Sequence, residues 1–168
     1  MAARLDYRKF SAEPVKALYA IEEYLAHSSI EVQLLHLLKF RASQINGCAF
    51  CLDMHSKDAR ALGETEQRLY ELNAWRETPF YSDRERAALE WTEALTLISE
   101  THAPDDCYER LRAQFSEKEI VDLTYAIAMI NLWNRLAIAL RAEPGHYQPA
   151  RKSSAATAAE LGGRASAS

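Results

Sequence analysis

The sequence predicts an all-α protein, and three observations carry that prediction. Glycine and proline number only 5 each in 168 residues, while alanine, leucine, glutamate and arginine recur throughout. That balance favours helices over a turn-rich β fold. Apolar residues return at spacings of three and four along most of the chain, and no segment makes a convincing strand. Start and stop signals also fall where the periodic runs begin and end.

In order, a first helix is expected from about Pro14 to Ala26. A second runs from about Ser29 to Ile45, with Val32, Leu34, Leu35, Leu37, Leu38, Ala42 and Ile45 on its apolar side. Asn46-Gly47 breaks the pattern, as such dipeptides do. A third helix opens near Cys48 and stops at Gly63, which suits a left-handed C-terminal cap. A short fourth covers about Thr65 to Asn73, and Pro79 to Ser82 form a linker. Ser82 with Glu85 makes a capping box for a helix from 83 to about 100. Pro104 opens a short helix that ends before Phe115. Ser116 with Glu119 is a second capping box, launching a long helix that ends near Arg141 and is stopped by Pro144-Gly145.

That long helix is apolar nearly all round, from Ile120 and Val121 through Trp133 to Leu140. A helix without a polar face is expected to be buried on every side. A chain this small encloses one with difficulty, so part of the helix is expected in a subunit interface. Residues 1–145 read as one helical domain. Residues 146–168 are expected to be a tail, and its RKSSAATAAELGGRASAS stretch has too little apolar surface to repay its ordering entropy.

Hydrophobic content of 48% and charged content of 26% are ordinary for a globular domain with a core. The net charge of −4 argues against a nucleic-acid-binding face. The start, MAARLDYRKF, lacks the apolar core of a signal peptide. The most apolar stretch, 120–140, contains Asp122, Asn131, Asn134 and Arg135, which favours a buried helix over a membrane span. The expected compartment is therefore the cytosol, where a Cys-x2-Cys pair is more often catalytic or metal-binding than a permanent bridge.

The chemistry concentrates in CAFCLDMH at 48–55. Cys51 and His55 lie one turn apart on one helix face, and Cys48 and Cys51 are close enough to form a disulfide. Cys48 sits at the start of a helix, where unpaired N–H groups and the dipole favour a thiolate. Oxidation of one sulfur to a sulfenic acid would let the other condense with it. Phe50 and Leu52 supply apolar surface for an apolar substrate or a lipoyl arm. With Asn46-Gly47 as the apex of a helical hairpin, His36 and His55 fall at matching distances from it. A proton relay from His36 through His55 to Cys51 follows.

A zinc site using Cys48, Cys51 and His55 is the competing reading. Structural zinc wants four ligands, and Cys107 and His102 do not supply the spacing. Cys107 reads as a packing residue or an exposed thiol, and His27 and His146 as helix-end or surface residues. Trp75, Trp91 and Trp133 read as core or interface.

The stretch KFRASQINGCAFCLDMHSKDARALGETEQRL, 39–69, closely resembles the carboxymuconolactone decarboxylase superfamily, and within it the alkylhydroperoxidase AhpD-like branch. WRETPFYSDRERAALEWTEALTLI at 75–98 and INLWNRLAIAL at the end of the last helix extend the resemblance over roughly residues 5 to 145. The resemblance implies an AhpD-like helical bundle that forms a trimer or hexamer. It also implies a peroxidase that reduces organic hydroperoxides through a Cys48–Cys51 disulfide. Cys51 maps to the peroxide-attacking residue, Cys48 to the resolving thiol and proton donor, and His55 to the relay histidine. Two positions depart from the best-known members: His36 stands where they have a glutamate, and Phe50 where they have a histidine. Histidine can shuttle protons but supplies no fixed negative charge. The expected partners are a hydroperoxide and a dithiol or lipoyl-type reductant, with no cofactor, metal, nucleic acid or membrane. A redox-sensing module with little turnover is the alternative. A lactone decarboxylase follows only from the superfamily, whose decarboxylase branch lacks the thiol pair.

Overall fold

The computed structural model describes residues 2–149, and among them there are helices and no strand. The helices are α1 (Tyr7–Phe10), α2 (Ala12–Ala26), α3 (Val32–Asn46), α4 (Ala49–Ala61), α5 (Glu66–Tyr70), α6 (Asp83–Thr96), α7 (Ile98–Thr101), α8 (Asp105–Arg112) and α9 (Glu117–Leu140), with a 3-10 segment at Leu72–Glu77. The tail expected over 146–168 falls, from residue 150 onward, outside the described residues.

The anticipated elements are present, with local differences. Asp6 caps an additional short α1 by accepting from the Arg8 N–H. The helix expected from 83 to about 100 breaks at Leu97, whose backbone leaves helical values at φ −103°, ψ 35°. Both capping boxes form, Ser82 with Glu85 and Ser116 with Glu119. Each satisfies two end-group N–H donors at a helix start.

Helix α3 lies at the centre, packed against α4, α6 and α9. Leu34, Leu35, Leu37, Leu38 and Phe40 of α3 meet Leu89 and Trp91 of α6 and Leu123, Ile127 and Met129 of α9 in the main core. Helix α9 is the one described helix long and apolar enough to cross a membrane by length and composition. It packs against α2, α3, α4, α6 and α8. Burial is not complete on every side, because Val121 and Tyr125 are half-exposed and Ala128, Arg135 and Ile138 follow them on the outer face. The exposed stripe is apolar apart from Arg135, so sequence periodicity alone could not separate it from the buried faces.

A buried polar layer fixes the α3–α4 turn. The Asn46 amide donates to Asn131 Oδ1 at 3.0 Å and Asn134 Oδ1 at 2.8 Å. The Asn134 amide donates to Ser43 Oγ at 3.1 Å, and the Asn131 amide to Thr96 Oγ1 at 3.2 Å. Gly47 ends α3 at φ +70°, a left-handed conformation that favours glycine. The next N–H, that of Cys48, donates back to Ser43 O at 3.0 Å, closing a Schellman-type cap. The first cysteine is thereby held at the start of α4.

Candidate functional site

Cys48 is the N-cap of α4, and its sulfur accepts from the Cys51 N–H at 3.4 Å. The two cysteines are joined as a disulfide, with Cα atoms 5.4 Å apart. Each is 1% exposed, and Ala42, Ile130 and Ala137 enclose them in a small apolar cluster flanked by Phe50 and Trp133. The pair therefore sits in the first turn of a helix, where a released thiolate meets the positive end of the dipole.

His55 stands one turn beyond Cys51 on α4 and is 5% exposed. The hairpin brings His36 of α3 opposite it, with ring centroids 5.8 Å apart and planes tilted by 55°. No hydrogen bond joins the two rings. Both nitrogens of His55 and Nδ1 of His36 are buried without a partner. Burial lowers the His36 pKa, against the opposing pull of Asp58. It pushes His55 well below its ordinary value, with Lys39 and His36 adding to the effect. Both imidazoles are thus neutral at neutral pH, each with one ring nitrogen carrying a proton and the other open to accept one.

Asp58, Tyr147, Lys39 and Glu22 also border the site. Asp58, one turn beyond His55, places Oδ2 4.0 Å from His36 Nδ1. Its Oδ1 accepts from the Tyr147 hydroxyl at 2.6 Å. Burial and the Asp58 carboxylate raise the Tyr147 pKa, so the phenol stays protonated as a donor. Lys39, nearly buried, pairs with Glu22 of α2 at 2.5 Å, and the Trp133 indole donates to the other Glu22 oxygen at 2.9 Å. The negative charge missing at position 36 is therefore present nearby at Asp58, against His36 rather than His55.

The two cysteines line different spaces. Cys51, His36, His55 and Asp58 line a cavity of about 420 Å³ whose walls include Tyr7, Tyr19, Phe50, Met54, Trp133 and Tyr147. Tyr19 and Tyr7 lie 5.7 and 6.2 Å from Trp133, centroid to centroid. Cys48 instead lines a groove of about 240 Å³ with Gly47, Ala49, Ala137, Arg141 and Ala142. Phe50 borders both. The segment after α9 closes over α4: Gly145 N–H donates to Asp53 at 3.0 Å, and Lys57 donates to Tyr147 O at 3.0 Å.

Of the residues singled out in the sequence, Cys48, Cys51, His55 and His36 come together. Cys107 is a free, buried thiol on α8, its pKa raised to about 11 by burial. His27 contacts Glu23 O at the end of α2, and His102 caps α7. Asp58 was missed, although its position three after His55 on one helix was a usable signal. Glu22 and Tyr147 had none, because only tertiary packing brings them in.

An all-helical bundle holding a Cys-x2-Cys pair at a helix start, with a histidine one turn on, is the AhpD-like architecture. The chain belongs to the carboxymuconolactone decarboxylase family, whose model matches residues 12–94. It is 48% identical over 140 residues to the uncharacterized protein YdfG of Bacillus subtilis (strain 168), covering 83% of this chain and 95% of that one. Among solved structures it resembles ATU0492 of Agrobacterium tumefaciens, a protein of unknown function provisionally assigned to AhpD antioxidant defence. The TM-score is 0.83 at 49% identity, covering 87% of this chain and all 100% of that one. An uncharacterized peroxidase-related protein from Silicibacter sp. TM1040 matches at TM-score 0.72 and 26% identity, over 82% of this chain and 73% of that one.

Proposed function

We propose that the protein is a thiol-dependent hydroperoxide reductase that cycles through the Cys48–Cys51 disulfide. The observation that carries this reading is the placement of the pair between two spaces, an aromatic-walled cavity at Cys51 and a groove at Cys48. Displacement at sulfur proceeds in line, so each bond made or broken needs room on the far side of its sulfur. The peroxidase-related and AhpD-type relatives support the same reading.

In the reduced protein the Cys51 thiolate attacks the terminal oxygen of a hydroperoxide held in the larger cavity. The O–O bond breaks, the alkoxide takes a proton and leaves as an alcohol, and Cys51 becomes a sulfenic acid. The Cys48 thiolate then attacks the Cys51 sulfur from the opposite side. Hydroxide leaves toward the histidines and takes a proton to become water, and the disulfide forms. A dithiol reductant attacks the Cys48 sulfur from the groove, expelling the Cys51 thiolate, and its second thiol releases the mixed disulfide. One hydroperoxide and one dithiol give an alcohol, water and a cyclic or bridged disulfide.

His55 takes the Cys51 proton as the thiolate forms, and His36 with Asp58 links His55 to the cavity mouth. Cys48 acts as the resolving thiol and proton donor. The outer stripe of α9 provides the contact for a homo-oligomer, a trimer or hexamer, and residues 1–145 form the catalytic domain. Near-complete burial of both sulfurs is the observation that favours the second reading, a redox sensor that oxidises once. Nothing at the site beyond family membership favours lactone decarboxylation.

The test is turnover of cumene hydroperoxide with dihydrolipoamide. Cys51→Ser is expected to abolish it, and Cys48→Ser to leave a sulfenic acid that dimedone traps at Cys51. Unchanged turnover in both variants would refute the reading. Oxidation of the wild type without turnover would assign the sensor.

A further inference from the structure

The geometry points to a binding site for one zinc-class divalent cation, built by His36, His55 and Asp58. Each residue offers one donor atom, and the three atoms lie within 4.8 Å of one another. His55 and Asp58 are three apart on α4 and so share a face, while His36 reaches the same place from α3.

The second observation is independent of that spacing. His55 is 5% exposed, yet neither ring nitrogen has a hydrogen-bond partner, and His36 Nδ1 is equally orphaned. Buried polar atoms are rarely left unpaired, because each forfeits its hydration without a replacement partner. One nitrogen from each ring can face the same point, where the Asp58 carboxylate supplies the third donor. A cation satisfies imidazole lone pairs from both rings together with the carboxylate.

The donor set suits zinc rather than calcium or magnesium, which prefer all-oxygen ligands. Two imidazole nitrogens and one carboxylate oxygen leave a fourth position toward the 420 Å³ cavity. Tetrahedral zinc needs its donors ~3.3 Å apart, so small side-chain rotations at His36 and Asp58 must draw the set inward. Asp58 is already oriented for this: Tyr147 holds Oδ1 at 2.6 Å and leaves Oδ2 on the His36 side. Such an outer hydrogen bond is what fixes a ligating carboxylate. Lys39, whose charge bears on both histidines, is neutralised by Glu22 at 2.5 Å.

Cys51 lines the same cavity one turn before His55. In the reduced protein its thiolate, one helical turn from His55, can swing in as the fourth ligand. Hydroperoxide oxidation to the disulfide withdraws that sulfur and leaves three ligands, so the ion is held more tightly by the reduced form. This redox dependence rests on the thiol-peroxidase reading, whereas the three-ligand site does not. A bound ion also occupies one His55 nitrogen and blocks proton transfer through it.

The experiment is Zn²⁺ titration by calorimetry, with Co²⁺ absorption as the spectroscopic probe. It uses the wild type in both redox states and the Cys48→Ser/Cys51→Ser variant, which has no thiol at the site. One equivalent is expected to bind in all three, most tightly in the reduced wild type, where a sulfur-to-cobalt charge-transfer band appears. His55→Gln and Asp58→Asn should abolish binding to the double-serine variant, Tyr147→Phe should weaken it about tenfold, and His27→Gln should leave it unchanged. Binding that vanishes in the double-serine variant would assign the ion to the cysteines and overturn the proposal, as would no binding in any form. Neither result depends on peroxidase turnover. The circular dichroism of each variant guards against unfolding, and Asp58→Asn, being isosteric, keeps the test decisive if His55→Gln does not fold.

Discussion

At the scale of single residues, Glu93 is the carboxylate whose protonation bears most directly on the fold around α3. It accepts from Arg41 Nε at 2.8 Å, from the Trp75 indole at 2.8 Å and from Arg76. It therefore ties α3, the 3-10 segment and α6 together through one side chain that is 16% exposed. Burial alone would raise its pKa, but hydrogen bonds from Arg76 and Trp75 and the charge of Arg41 outweigh burial and hold it below the ordinary value. A depressed folded-state pKa means that the unfolded chain binds the proton more readily. The stabilisation is thus complete above the unfolded value of about 4.3 and is lost as pH falls through the folded one. Glu93→Gln should cost about 1–3 kcal/mol at pH 7 and remove part of the loss of stability on acidification. Urea midpoints of wild type and variant at neutral and acid pH check this. A variant with the same acid sensitivity as the wild type would show that Glu93 does not titrate in this way.

At the scale of elements, α9 presents Val121, Tyr125 and Ile138 to solvent although its interior faces complete the core. The oligomer proposed above would use this stripe as its contact surface. The variant carrying Val121→Glu and Tyr125→Glu should therefore sediment as a monomer while keeping its helical circular dichroism. A monomeric wild type at micromolar concentration would remove the stripe's proposed role. The helices themselves were largely legible in the sequence, because capping boxes at Ser82 and Ser116 and glycines at 47 and 63 are local signals that tertiary packing did not override. The break at Leu97 was not legible. It carries no glycine or proline, and a tertiary feature accompanies it, the Thr101 hydroxyl donating back to Ala94 O at 2.6 Å. Nor could periodicity tell which face of α9 stays outside, since every face is apolar.

At the scale of the whole molecule, the site is an assembly of distant parts. The thiol pair and the two histidines lie within one hairpin, so counting from Asn46-Gly47 sufficed to pair His36 with His55. Glu22, Trp133 and Tyr147 come from α2, α9 and the segment beyond it, and no local pattern announces such a meeting. Tyr147 matters most, because its hydroxyl hydrogen-bonds the Asp58 carboxylate from outside α4. With it come the Lys57 bond to Tyr147 O and the Asp53 bond to Gly145 N–H, three links in all that fasten residues 145–147 over the cavity. Truncation should separate the roles of this strap and of the residues that follow. Ending the chain after Pro149 is expected to leave the melting temperature and hydroperoxide turnover unchanged. Ending it after Glu143 removes all three links. Partly exposed hydrogen bonds of this kind total about 1–2 kcal/mol, which corresponds to a fall of ~3–6 °C in melting temperature. Ending the chain after Glu143 also opens the wall of the cavity at Tyr147, so KM for cumene hydroperoxide should rise more than kcat falls. If it instead lowers kcat and leaves KM alone, Tyr147 acts on the chemistry through Asp58 and not as a wall of the substrate cavity.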